Sequence, residues 1–178
     1  MLKAKPVTTR TLGEMFMNGS APALDRAFAA LSYVMPLAAA LEAGSYFFRF
    51  LSVQAPPVLD FILLLLLPLQ PLIAIENSIL GFGIFILLFL FVIRNTNISR
   101  FIRFNVLQAI LVSFMISITL LILGALNLLG GNLLGETLSN VMFLGGMAIV
   151  IYSVAQSVMG RYAEIPTISD AVNTQMPY

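Results

Sequence analysis

From Val106 to Leu129 the chain carries no charged side chain; only Gln108, a few hydroxyl residues, one glycine and Asn127 interrupt its apolar character. A spanning helix needs roughly 20 apolar residues to cross about 30 Å of hydrocarbon, so this stretch places the chain in a membrane. Three other segments point the same way. Ser78 to Ile93 is nearly pure Phe, Leu and Ile, with Gly81 and Gly83 near its start. Leu138 to Gly160 holds Gly145–Gly146 and ends in Ser153, Gln156 and Ser157. Ala27 to about Phe48 is rich in small residues, contains Pro36 and has Glu42 near its far end. Tyr33 and Tyr46 fall near the two ends of that first span, where amphipathic rings suit the headgroup level. The 178 residues are 60% hydrophobic and 10% charged, against about 45–50% and about 25% in soluble domains. A soluble globular enzyme is excluded.

Residues 54–76 read differently. Phe61 to Leu67 is continuously apolar, but Pro56, Pro57 and Asp60 precede it and Pro68, Gln70 and Pro71 follow. Prolines remove backbone donors and interrupt the helical ladder. The expectation is a re-entrant or interfacial piece, tolerated at membrane depth when buried against protein. Charge placement then sets the topology. With four spans, the N-terminal region, the Arg94–Arg103 loop and the tail share one side, which holds eight of the nine basic residues; Arg49 alone lies opposite. With five spans the division becomes five against four. The positive-inside bias favours four, with both ends on the cytoplasmic or stromal side. The predicted fold is an all-α integral membrane protein. It has a polar N-terminal segment (1–26), spans at about 27–48, 78–93, 106–129 and 138–160, and a polar tail (161–178). No internal repeat stands out. The N-terminal segment shows neither a signal peptide nor a transit peptide, and Leu12, Met15 and Phe16 suit one turn of interfacial helix.

The chemistry available is narrow. Without His or Cys there is no imidazole acid–base catalysis, haem ligation, disulfide or thiolate nucleophile. A metal site would have to be built from eight scattered carboxylates. No phosphate-cradling loop or paired-carboxylate arrangement is present, and Gly130–Gly131 reads as a turn. No catalytic, cofactor or metal site is expected, and no nucleic-acid partner.

The polar residues that remain define a candidate surface. Arg94, Arg100 and Arg103 cluster at a membrane boundary, suited to anionic lipid headgroups at about 1 kcal/mol per basic residue, or to a docking partner. Asn105, Ala109, Ser113 and Ser117 recur at i+4 on one helical face, with Gln108 one step away. Gly145, Ser153, Ser157 and Arg161, with Gln156 beside them, form a matching stripe. Small and hydroxyl residues permit close helix approach and cross-helix hydrogen bonds, so these two faces are expected to meet. The alternative is a polar strip lining a path through the bilayer. Glu42 and Glu76 both fall beside span ends on the less basic side and read as solvated.

The run Ile98-Ser99-Arg100-Phe101-Ile102-Arg103-Phe104-Asn105-Val106-Leu107-Gln108-Ala109-Ile110-Leu111 resembles the signature of the Tic-twenty family, the twenty-kilodalton membrane subunits of the translocon at the chloroplast inner envelope, with cyanobacterial relatives. The ending Ile165-Pro166-Thr167-Ile168-Ser169-Asp170-Ala171-Val172 and the start Asp25-Arg26 with Ala30 to Leu37 are similar too, so the likeness covers about 25–172. Arg100, Arg103, Asn105, Gln108, Pro166 and Asp170 match the motifs; Ser113 stands where the family often has an acidic residue. The resemblance implies a four-span, non-enzymatic component of a preprotein-import channel, of cyanobacterial or plastid-encoded type, in a chloroplast inner envelope or cyanobacterial membrane. Its implied partners are other integral and peripheral membrane subunits, and preproteins as substrates. The competing readings are a structural or assembly subunit of a larger, photosynthetic-type membrane complex, and a small ion channel or transporter.

Overall fold

A computed structural model describes residues 21–129 and 131–176. The expected interfacial turn at Leu12, Met15 and Phe16, and Gly130 of the glycine turn, lie outside the described residues. The described chain is helical: α1 (Ala23–Ala43), α2 (Ser45–Gln54), α3 (Pro56–Glu76), α4 (Ile79–Ile93), α5 (Arg100–Ala125), α6 (Leu133–Val158) and α7 (Ile168–Gln175). Four of them, α1, α3, α5 and α6, are long and apolar enough to cross a membrane; α4 is shorter.

Local chemistry explains the boundaries. Ser99 and Asn132 cap α5 and α6 with side chains that accept from the amides of Ile102 and Gly135, meeting donors that the first helical turn leaves open. Both helices therefore start five or six residues before the apolar runs do. In α1 the regular ladder lapses at Tyr33, because Pro36 has no N–H to offer the Ser32 carbonyl one turn back.

The segment expected to break at its prolines stays helical from Pro56 to Glu76. Pro68 falls in a short 3-10 turn, Leu67–Leu69, and Pro71 in the first turn of the next piece. At a helical start the amide would lack an intrahelical partner anyway, so proline costs little there. The fourth long helix is thus α3, while α4 is a nine-residue α-helix running into six residues of π-helix. The two are joined by a tight turn in which a Cβ on Gly81 would overlap the Glu76 backbone carbonyl. Together they make one net passage along the bundle. Residues just before α3 lie at the Gly44 end, where Phe47 and Phe48 pack on Phe143, and Ile93 ends beside Arg103.

α1 is the central element. α5 and α6 both lie against it and touch each other only sparingly. Gly146 makes this approach possible: a Cβ there would stand 2.8 Å from the Ala40 Cβ and 3.1 Å from Ile116 Cδ1. Gly145 faces open space. The polar stripes of α5 and α6, expected to meet each other, do so at one end, where Ser157 bonds to Asn105; along the rest of their length each packs on α1 instead. α3 packs on α1 through Ile62, Leu66, Leu69 and Ile73, in one cluster with Val34, Leu37 and Leu41. The rest of α3 is outward-facing, with Leu64 67% exposed, as lipid contact requires. Leu72, Ile75 and Glu76 line a groove with Phe28 and Leu31. Glu76 thus sits at the α1 N-terminal end, opposite the end predicted for it, because α3 carries on through its prolines.

Candidate functional site

The described helices converge on a buried polar cluster at the end where α1 and α5 begin and α6 finishes. Asn105 is its centre, fully buried. Its Oδ1 accepts from the Tyr33 hydroxyl and from the Ser157 hydroxyl, each at 3.0 Å, and its Nδ2 donates to the Phe101 carbonyl at 2.9 Å. Gln108, also fully buried, donates through Nε2 to the Tyr33 oxygen at 3.1 Å. Its Oε1 accepts from the Ser169 hydroxyl at 3.1 Å. One network therefore ties α1, α5, α6 and α7 together. Such groups are costly to bury unpaired, so the network fixes how these helices are rotated about their own axes. Ser153 is buried beside Tyr33, and its hydroxyl makes no hydrogen bond of good geometry.

Below the cluster lies the start of α5. Arg103 is 5% exposed and donates from Nε to the Ile93 carbonyl at 3.0 Å, fastening the end of α4. Tyr162 stacks edge-on against Phe101 and Phe104, with ring centroids 5.3 and 4.9 Å apart. Burial pushes its phenol above the ordinary range, and the nearby Arg100 guanidinium partly offsets that. Arg100 also reaches Asn173 Oδ1 at 3.5 Å.

The structure distributes the predicted surface over several places. Asn105, Gln108 and Ser153 come together in the buried cluster. Arg100, Pro166 and Asp170 line one cleft of about 540 Å3, between the start of α5 and the tail. Arg94 lies apart, exposed, beside Thr96 and Gln175. Ser113 and Gln156 are half-buried. Ser117 is exposed and shares a cleft with Glu42 at the other end of the bundle.

The single face drawn through Asn105, Ala109, Ser113 and Ser117 does not hold as a contact. Four residues turn a 3.6-residue helix about 40° too far, so by Ser117 the stripe has swung roughly 120° from Asn105. The buried row runs through Asn105, Ala109, Val112 and Ile116 instead. Two members of the cluster went unread in the sequence. Tyr33 is 1% exposed rather than at the headgroup level that its place near a span end suggests, and Ser169 stands in a tail motif with no mark of this contact. An isolated tyrosine among alanines and other apolar residues, nearly two turns inside a span, is the signal that points to the first. Tyr46, expected at the end of the first span, belongs to α2, where its hydroxyl donates to the Leu129 carbonyl at 3.3 Å.

This bundle is bound up with what the chain matches. A family profile described as "Chloroplast import apparatus Tic20-like" matches residues 18–172. The chain belongs to the Tic20 family. A Tic20 family protein of Synechocystis is 44% identical over 168 residues, covering 92% of this chain and 100% of the relative. Protein TIC 20-II, chloroplastic, of Arabidopsis thaliana is 29% identical over 161 residues, covering 87% and 74%. The Tic20 family protein Ycf60 of Cyanidium caldarium is 35% identical over 103 residues, covering 57% and 50%. The profile is that of an import apparatus rather than of an enzyme, and the match takes in every residue of the polar cluster.

Proposed function

We propose that the chain is a membrane component of a protein-translocation channel, working with other integral and peripheral subunits and contacting preproteins in transit. The observation that carries this reading is the import-apparatus match across residues 18–172. The geometry bears on which surface serves passage. The most polar part of α5, Asn105 with Gln108, is consumed by internal bonds, so one copy is a packed bundle where those residues lie. A path for polypeptide then runs along the outside of the bundle, against another subunit. The cleft of about 770 Å3 that joins Glu42, Ser45, Ser117 and Ser139 offers polar groups on such an outer face. The end bearing Arg94, Arg100 and Arg103 is assigned to the stromal or cytoplasmic side, an assignment supported by the positive-inside bias.

The test is site-specific photocrosslinking to an arrested preprotein from Ser117 and, as a lipid-facing control, Leu64. Adducts to the preprotein from Ser117 and none from Leu64 are the expected result. Adducts from Ser117 only to constant membrane subunits would favour the assembly-subunit reading. Since the chain has no Cys, single cysteines at Asn97 and Gly131 check the sidedness. They should be modified from opposite faces of the membrane.

A further inference from the structure

The strap between α6 and α7 holds a backbone conformation that needs an explanation. Thr167 has φ 71° and ψ −45°, and the Ile168 amide donates to the Pro166 carbonyl at 2.8 Å. That is a γ-turn of the rarer, strained sense, at a β-branched residue. Such strain persists only where the surroundings over-determine it. Here they do. The Ser169 hydroxyl accepts from the Ile165 amide at 2.8 Å while its own amide donates to the Ile165 carbonyl at 2.9 Å. The same hydroxyl reaches Gln108 in the buried cluster. The strap is therefore clamped to the membrane core.

What the clamp holds in place is a row of open backbone groups. The amides of Tyr162 and Glu164 and the carbonyl of Tyr162 have no hydrogen-bond partner among the described residues. They flank the cleft of about 540 Å3 whose other walls carry Arg100, Asp170 and Asn173. Glu164 and Asp170 are exposed and neither forms an ion pair with a described residue, whereas Arg100 is engaged by Asn173. The cleft is thus preorganised and mixed in character: two carboxylates against one guanidinium, set among the apolar surfaces of Phe104, Tyr162, Ile165 and Pro166. The excess of carboxylates disfavours a phosphate headgroup.

We propose that this cleft takes an extended polypeptide segment of a partner protein, paired to the Tyr162 amide and carbonyl and the Glu164 amide, and presenting a basic side chain to Glu164 and Asp170. Backbone pairing supplies affinity and alternate side chains supply selectivity, as in other additions of an extended peptide to an open edge. The inference does not depend on the chain lining a channel.

The test uses the full chain in nanodiscs of phosphatidylcholine, read by fluorescence anisotropy. Three labelled heptapeptides serve as probes: one alternating valine and lysine, one alternating valine and glutamate, and the lysine peptide N-methylated at alternate residues. The lysine peptide should bind at least tenfold tighter than either of the others. Glu164→Lys combined with Asp170→Lys should reverse the preference in favour of the glutamate peptide. Glu164→Pro, which removes one open amide, should weaken the lysine peptide; should that variant fail to fold, Glu164→Gln keeps the backbone and should lower only the lysine-over-glutamate ratio. Equal binding of the methylated and unmethylated peptides overturns the proposal, as does no binding of any peptide, which would leave a solvated strap only.

Discussion

The two flanks of α1 are held by different means. On one side α5 meets it through hydrogen bonds among buried side chains, and α6 and α7 bond to α5 in turn, so that Asn105 accepts from α1 and α6 at once. On the other, α3 meets it through one row of aliphatic side chains, Ile62, Leu66, Leu69 and Ile73. In a bilayer the second kind of contact has a ready substitute, because lipid tails are as apolar as leucine. The first kind has none, since hydrocarbon offers no donor or acceptor. The polar side therefore behaves as a fixed frame, and α3 as an attachment to it.

The sharpest way to break that contrast is to remove the centre of the frame. Asn105→Leu strands the hydroxyls of Tyr33 and Ser157 in the interior. It should destabilise the chain by about 2–4 kcal/mol, counting two buried donors left unpaired. Thermal unfolding in detergent measures this, and an unchanged melting temperature would make the cluster incidental. A smaller effect is expected from Gly146→Val, whose branches must displace Ala40 and Ile116. Overpacking of this kind costs about 1–3 kcal/mol, while Gly145→Val, facing open space, should leave stability alone. Equal effects at the two glycines would mean that α6 is rotated differently on α1. The smallest effect belongs to α3. Ile73→Ala should speed hydrogen exchange within α3 by about fivefold, as local opening permits, and leave exchange around Asn105 unaltered. If both regions respond together, the frame and α3 form one cooperative unit.

The same contrast marks what was legible in the sequence. Apolar run length gave an all-helical membrane protein with four long helices, because desolvating the backbone in hydrocarbon leaves few other solutions. Asn105, Gln108, Ser153 and Ser157 were recognisable as polar residues within apolar helices. The meeting of Asn105 with Ser157 follows from the two matching stripes, but Tyr33 and Ser169 as partners do not, since a stripe at i+4 drifts around the helix and pairing depends on rotations that only three-dimensional packing fixes. Pro68 misled for a related reason. A proline is disruptive in mid-helix but harmless where a new helical piece begins, and the sequence does not announce which applies. The cleft joining Arg100 to Pro166 and Asp170 depends on the tail folding back onto α5. No local pattern encodes that return.

Ser169 is synthesised 61 residues after Gln108, the group it completes. Until the tail emerges and docks, the Gln108 oxygen waits in the bundle without that donor. Closure of the membrane core is thereby coupled to the arrival of a segment outside it. A nascent or clipped chain lacking that segment would carry an unpaid polar debt in its interior, a mark by which quality-control factors could tell an unfinished subunit from a finished one.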